Sequence, residues 1–551
     1  MIPYAALYSR ELMFRELARY SRMGMAFVSH LRSPLDPDPE GTIRSHMERR
    51  ESSFIAIIRK TLSNAAHPYS RMFRIAGWTL RDVETSVARC GVEHTLQALL
   101  DAGVYLKQDE LRGKKEIIRR GESIPSTPRS WLNESGRGPI VNTSSGSSSG
   151  RSFRTEQSLD YLTNLEAACQ LMVGELDLER RPGVQVAPIL PGYGLLGALL
   201  ASRLRVGFGR WYAIGGASRA NRYYRIATRC IAAQLRLFGA KVPYPMYLDQ
   251  NDFRPAAEYL TRLRSDGAVA VISGFVSSVS RVAAAALDED LDVSGTIAIV
   301  AGEALTDVKR HVIESAGISV YPTYGASDIG NIGLPCRHMN RGNCVHIFRH
   351  GVALAVKREA TGESGGKPVD SLYATSLLPF APRYLINAEI GDTGVIEEAT
   401  CDCVFTRLGF NLQVRDIASI SKVTAQGMTI AAEELVQVLE ERMPARFGGR
   451  PGDYQLIEAE GTAQTEMILC IRPGVSRNSD EEILGYFLAQ THRLYGGSMS
   501  ALAWVHSRGV RVRWAAPLLS ATGKFRAVRL LGPGVSTPED SFKSKTVGSI
   551  L

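Results

Sequence analysis

The 551-residue chain has no uninterrupted apolar run of the roughly 20 residues that a membrane-spanning helix needs. Its longest apolar stretch, VAPILPGYGLLGALLA at 186–201, is broken by proline and glycine. The opening residues, MIPYAALYSRELMFREL, lack a basic start, an apolar core and a small-residue cleavage site, so the expected location is cytoplasmic. No zinc-finger, helix-turn-helix or aromatic–basic RNA motif is present, and the arginines, as in 202–236, do not form one tract. Nucleic acid is therefore not among the expected partners. The net charge of +9 instead fits an anionic partner such as a nucleotide, coenzyme A or an acidic carrier protein. Cysteine is sparse, with eight residues. Cys90, Cys169, Cys230 and Cys470 stand alone and read as small core residues, whereas Cys336 with Cys344 and Cys401 with Cys403 form close pairs. In a cytosolic chain such pairs, with histidine nearby, point to metal more than to disulfides.

What is present is an ordinary globular composition, 44% hydrophobic and 22% charged. The length suits one domain of roughly 350–420 residues plus a smaller one. Residues 1–120 form a mainly helical lead-in, with apolar residues three and four apart in FIAIIRKTLSNA and VEHTLQALLDAGV. From 184 to 335, apolar strand candidates (VQVAPIL, KVPYPMYL, AVAVISG, GTIAIVAGE) alternate with helix candidates. The helix candidates are RYYRIATRCIAAQLRLFG, RPAAEYLTRLRS, SSVSRVAAAAL and DVKRHVIESAG. Such alternation predicts an α/β fold with a substantially parallel sheet. Short strands and turns follow to about 412, and then a small α+β unit. The expected domains are 1–414 and 415–551, the second small and mobile.

Five segments carry the chemistry. The first is VNTSSGSSSGR at 141–151, which by composition alone reads as a flexible linker. It lies between a strand-like entry, Pro139–Val141, and a helix expected over 155–176. There, a Ser/Gly loop can donate backbone N–H groups and hydroxyls to phosphate. The second is IAIVAGEAL, a buried strand running into Gly302 and Glu303, at the strand end where open α/β sheets bind ligands. The third is VYPTYGASDIGNIG, where Tyr324 offers a ring for stacking and Asp328 a carboxylate for Mg2+. The fourth is EIGDTGVIEE, with Asp392 in a turn suited to ribose hydroxyls. The fifth is SATGKFR, with Lys524 on a glycine-containing loop.

The order and separation of these segments resemble the adenylate-forming enzymes: acyl-CoA synthetases, peptide-synthetase adenylation domains and luciferases. Within that superfamily the chain looks most like the phenylacetate–CoA ligase branch, and it also resembles the acyl-protein synthetases of bacterial bioluminescence. The resemblance spans about 100 to 530. GVYLKQDELRGKKEIIRRG, the CDC after GDTG, and SKVTAQGM before a helix all fit the branch. It implies a large AMP-binding domain with mixed and parallel sheets, followed by a small rotating domain. Ser144, Ser145, Gly146, Ser147, Ser148 and Gly150 would then cover the ATP phosphates. Gly302 and Glu303 would border the adenine, Tyr324 would stack on it, and Gly325 would belong to the same ATP/AMP site. Asp328 would stand near Mg2+, Asp392 would hold the ribose, and Arg415 at the hinge would contact ribose or phosphate. Lys524 would bridge the attacking carboxylate and the α-phosphate. The chain departs from the family in three places. Its loop reads S-S-G-S-S-S-G-R where S-S-G-T-T-G-x-P is common, Asp328 replaces a Glu, and RDIASISKVTAQGM is longer than the usual G-R-x-D-D hinge.

The implied function is ATP-dependent conversion of an aromatic or fatty carboxylic acid to an acyl-adenylate, then to a thioester with coenzyme A. The alternatives are transfer to a carrier-protein or protein thiol, with an acyl reductase as further partner, and a non-catalytic nucleotide-binding homologue. A homodimer is compatible with the sequence. Tyr193, Trp211 and Phe275, in apolar segments rich in small residues, are the expected walls of the acyl pocket. Cys336, His346, Cys401 and Cys403 are the candidate ligands of a structural Zn2+, with His338 and Cys344 as spares. Zinc near this point is also a feature of the resembled branch.

Overall fold

Six parallel strands form the sheet that organises the middle of the chain. In chain order they are Pro182–Val186, Gly207–Ile214, Pro245–Leu248, Val271–Phe275, Ile297–Ala301 and Ser319–Pro322. Numbered by that order, their spatial sequence is 3-2-1-4-5-6. This is the doubly wound arrangement, in which strand order reverses between the first and fourth strands. The computed structural model describes residues 10–113, 115–143, 154–214, 222–249, 252–302, 304–326, 328–339, 343–360, 368–419, 422–425, 428–460, 465–492, 510–519 and 525–531.

The predicted alternation is present. The helix over RPAAEYLTRLRS spans Arg254–Ser265, with proline in its first turn, where a missing N–H costs nothing. Helices Val276–Asp288 and Asp307–Ser315 follow the fourth and fifth strands. Val184, Ile272, Val279, Val282, Ala298 and Val300 fill the layer between sheet and helices. The second strand lies in GFGRWYAI, which carries no strand signal strong enough to be read from sequence. Its glycines and arginine break the apolar pattern, and among its described side chains Trp211, Tyr212 and Ala213 are buried.

A second, seven-stranded sheet is antiparallel throughout. It runs in space from Tyr324–Ala326 through Gly330–Leu334, Val345–Ile347, Leu412–Ser419, Ala388–Glu398 and Pro368–Ser376 to Val352–Ala360. The helical lead-in packs against it. Phe54, Tyr69 and Leu96 share one buried cluster with Val345, Leu372, Phe405 and Phe410. The helix Leu80–Asp101 starts on a capping box between Thr79 and Asp82. Arg50, buried, pairs with Glu93 at 2.8 Å, and Glu93 also holds Arg349 in the turn between strands Val345–Ile347 and Val352–Ala360, which ties the lead-in to the sheet. His350 is buried between the rings of His46 and Phe410.

The chain finishes in a small α+β unit. Strands Val510–Trp514, Thr465–Ile471, Tyr454–Glu460 and Val528–Leu531 form a mixed sheet, covered by helix Asp480–His492 and by the helical stretch from Ala432 to Phe447. A π-helical turn, Val438–Arg442, interrupts that stretch. Its own apolar cluster includes Leu439, Met443, Tyr454, Leu469, Ile483 and Phe487. The boundary placed between 414 and 415 falls within the strand Leu412–Ser419, in which Arg415 faces Val395 in the second sheet.

Two local expectations differ from the structure. The helix expected over 155–176 begins only at Leu159, capped by Ser158, whose side chain accepts from the Tyr161 N–H. Residues Arg154–Gln157 are instead a strand, antiparallel to Ile140–Thr143. The Ser/Gly segment therefore connects two strands of one hairpin rather than a strand and a helix.

Candidate active site

In a sheet with this strand order, ligands bind beyond the carboxyl ends of the strands, at the reversal point. The residues leaving the first and fourth strands meet there. Tyr193 and Phe275 pack edge-on, with ring centroids 5.2 Å apart and planes at 69°. Tyr193 also lines a small apolar cavity with Met23, Phe27, Ile140, Leu190 and Leu195. Trp211 is fully buried beneath, its indole N–H donating to the Ala187 carbonyl at 2.8 Å, so it belongs to the core. At the end of the fifth strand, Gly302 has φ of +77°, a conformation that favours glycine and turns the chain off the sheet.

The sixth strand leads through Thr323 into Tyr324, the first residue of the second sheet. Tyr324 is buried, and its hydroxyl donates to Asp392 Oδ2 at 2.8 Å. Burial, reinforced by the Asp392 carboxylate, pushes the phenol well above its ordinary value, so it stays a donor. Two residues 68 positions apart are thus fixed to each other. The hairpin carrying Tyr324 is braced by Tyr161, whose hydroxyl accepts the Asn331 N–H at 3.0 Å. A Cβ at Gly330 would sit 1.6 Å from that hydroxyl, so this close approach requires glycine.

Asp328 lies in the turn of the same hairpin. Its side chain is 13% exposed and its Oδ1 stands 4.0 Å from Arg383 Nε, just outside hydrogen-bond reach. Among the described residues Oδ1 accepts no hydrogen bond. Burial raises the carboxyl above its ordinary value, against the opposing pull of Arg383 and Arg112. Arg383, 4% exposed, also donates to the Pro128 carbonyl at 3.3 Å. Sequence reasoning missed both arginines: Arg383 lies in none of the segments singled out, and Arg112, in GVYLKQDELRGKKEIIRRG, is 216 positions from Asp328. Arg415 pairs with Glu397 at 3.0 Å and with Asp416, on the strand beside the one carrying Asp392. Gly325 opposes Asn331 in the hairpin. Ser144, Ser145, Gly146, Ser147, Ser148, Gly150, Glu303 and Lys524 lie outside the described residues.

The cysteine–histidine group converges. Ligand atoms of Cys336, His346, Cys401 and Cys403 all lie within 4.8 Å of one another. The Sγ atoms of Cys336 and Cys401 are 3.7 Å apart, as are those of Cys401 and Cys403. His346 Nε2 is 3.3 Å from Cys401 Sγ and 3.2 Å from Cys403 Sγ. A tetrahedron with Zn–S bonds near 2.3 Å has sulfur–sulfur edges of about 3.8 Å, so the spacing fits the ion, whereas a disulfide would need about 2.05 Å. His346 Nδ1 donates to the Phe410 carbonyl at 3.0 Å, which orients Nε2 toward the thiols. The hydrogen bond from Cys336 and the neighbouring His346 hold the Cys403 thiol far below its ordinary value, while the same bond and burial raise Cys336. Burial with the Cys403 charge pushes Cys401 up to about 11. Cys344 is buried nearby but stands outside the four-residue group.

No protein-family model and no curated protein matches the chain. Among solved structures it is similar to an open conformation of 2-hydroxyisobutyryl-CoA ligase in complex with 2-HIB-AMP and CoA. That likeness has 15% identity and a TM-score of 0.44, and covers 83% of this chain and 93% of that one. It is also similar to a malonyl-CoA ligase with methylmalonyl-CoA and AMP bound, at 15% identity and TM-score 0.34, covering 72% and 74%. A third likeness is o-succinylbenzoate CoA synthetase from Bacillus subtilis with its acyl-adenylate intermediate, at 12% identity and TM-score 0.39, covering 72% and 69%. All three are CoA ligases or synthetases. At these identities and TM-scores, the roles of individual residues rest on this chain's own geometry.

Proposed function

We propose that the chain is an AMP-forming acid–thiol ligase that activates a carboxylic acid with ATP and passes the acyl group to a thiol, that of coenzyme A. The observation that carries this reading is the Tyr324–Asp392 hydrogen bond at the carboxyl edge of the doubly wound sheet. It joins a flat ring, suited to a purine, to a carboxylate, suited to ribose hydroxyls, at the place where such sheets bind nucleotides. The Tyr193–Phe275 pair at the reversal point supports an aromatic or aliphatic acid.

A carboxylate oxygen of the acid attacks the α-phosphorus of ATP, and the bond to the bridging oxygen breaks, releasing pyrophosphate with the electron pair. The deprotonated thiol then attacks the acyl carbon, and the bond to AMP breaks. Two anions must meet in the first step, so its barrier is electrostatic. Lys524, a compact charge on a long stem, suits a bridge between the two. Asp328 is the carboxylate that would hold Mg2+, and one carboxylate with phosphate oxygens is an ordinary set for that ion. When bound, Mg2+ neutralises phosphate charge. Cys336, His346, Cys401 and Cys403 would hold Zn2+, which supplies a cross-link and takes no part in the reaction.

The test is carboxylate-dependent exchange of labelled pyrophosphate into ATP, across aromatic, short-chain and long-chain acids. Exchange is expected with at least one acid and should fall by roughly 10²–10³ in Lys524→Ala. Folded protein that exchanges with none overturns the reading. Product mass then identifies the acceptor, whether coenzyme A or a protein thiol.

A further inference from the structure

The small C-terminal unit rests on two helices of the large one, and the contact is charged. Lys309, in the first turn of helix Asp307–Ser315, pairs with Glu440 of the π-helical turn at 2.8 Å, with side chains 8% and 2% exposed. Thr306, which caps that helix, donates through its hydroxyl to the other Glu440 oxygen at 3.3 Å. Beside them, Arg450 pairs with Asp288 at the end of helix Val276–Asp288. The Phe525 ring lies 5.8 Å from the Arg281 guanidinium and 6.0 Å from Lys309 Nζ.

The position of this pair gives it a role. Thr306 and Lys309 follow Gly302, where the fifth strand ends at the edge assigned to the nucleotide. A lysine in the first turn opposes the helix dipole, and a carboxylate placed there satisfies both the lysine and the dipole. The small unit supplies that carboxylate, so the helix start is joined along the chain to Gly302 on one side and touches the small unit on the other. A buried ion pair is strong only while both partners stay together, because each is costly to bury alone. That makes the contact all-or-none rather than graded.

We infer that Lys309 and Glu440 are positioning residues that couple the loop after Gly302 to the docking of the small unit. This rests on the proposed ligase reading and on the small rotating domain that the resemblance implies. Losing the pair then unbalances the two steps instead of slowing both alike.

The test compares wild type, Glu440→Gln, Lys309→Met and the double exchange Lys309→Glu/Glu440→Lys. Pyrophosphate exchange reads the first half-reaction, and thioester formation from preformed acyl-adenylate reads the second. Each single variant should change one half-reaction by about tenfold while the other stays within about twofold, and the double exchange should restore the balance. Equal effects on both steps, or no restoration, overturn the inference. Small-angle scattering of the unliganded proteins provides a readout independent of activity. A larger radius of gyration is expected for Glu440→Gln than for wild type, and identical radii overturn the inference. If wild type shows no exchange at all, the ligase reading fails while the scattering arm still decides whether the pair holds the unit.

Discussion

The cysteine–histidine group and the carboxyl edge of the parallel sheet are both assembled from residues far apart in sequence, and they are finished to different degrees. In the first, every donor atom faces another at ligand spacing, and the histidine is already oriented by a backbone carbonyl. In the second, Tyr324 and Asp392 are bonded, yet Asp328 and Arg383 face each other at 4.0 Å without closing a hydrogen bond. A buried carboxylate oxygen without a hydrogen bond, as at Asp328 Oδ1, costs stability. Under the proposed ligase reading, that oxygen stays available for the charge that arrives with the substrate.

Three experiments break or sharpen this contrast, from the largest expected effect down. Cys403→Ser should lower zinc from about one ion per chain to almost none, and lower the thermal midpoint by roughly 5–10 °C. Metal analysis and thermal unfolding check it. Wild-type protein without zinc would remove the contrast altogether. Tyr324→Phe keeps the ring and deletes the bond to Asp392. The KM for ATP should rise by about tenfold, the worth of a hydrogen bond to a charged group, with kcat little changed. An unchanged KM would mean that Asp392 is positioned without Tyr324.

The smallest effect concerns His350, a buried polar group outside both sites. Neither of its ring nitrogens makes a hydrogen bond among the described residues. Burial, with His46 and Arg50 nearby, lowers it to about 3. The stability tied to its neutrality is complete above the ordinary value near 6.5. It is lost as pH falls toward 3, because the unfolded chain takes up a proton that the folded chain refuses. Its contribution to the slope is at most about 1.4 kcal/mol per pH unit. His350→Phe should flatten that part of a denaturation profile, and a profile left unchanged would show that the ring is hydrated in the fold.

The α/β alternation was legible because helices such as Arg254–Ser265 carry their period and their proline start within a dozen residues. The four metal-type residues were legible by chemistry, since few side chains offer sulfur or imidazole. The strand Gly207–Ile214 was not, because glycine and arginine occupy positions where a strand signal needs β-branched residues. The hairpin under the Ser/Gly segment was hidden for another reason: RTEQ reads as a helix start until Ser158 is seen to cap the helix. Arg383 at Asp328 and Glu440 at Lys309 are encounters across 55 and 131 positions, and local pattern carries no trace of such pairings.

The cysteine–histidine group also has a consequence in chain statistics. Cys336 and Cys401 are 65 positions apart, and the first lies shortly after Tyr324, the second shortly after Asp392. An ion joining them turns the intervening chain into a ring. The entropy of closing a ring grows only as the logarithm of its length, so one long closure costs little more than a short one. Once closed, it deletes from the unfolded ensemble the conformations in which the two branches wander apart. The ion would favour the meeting of Tyr324 and Asp392 without touching either, by narrowing what the chain can do before it folds.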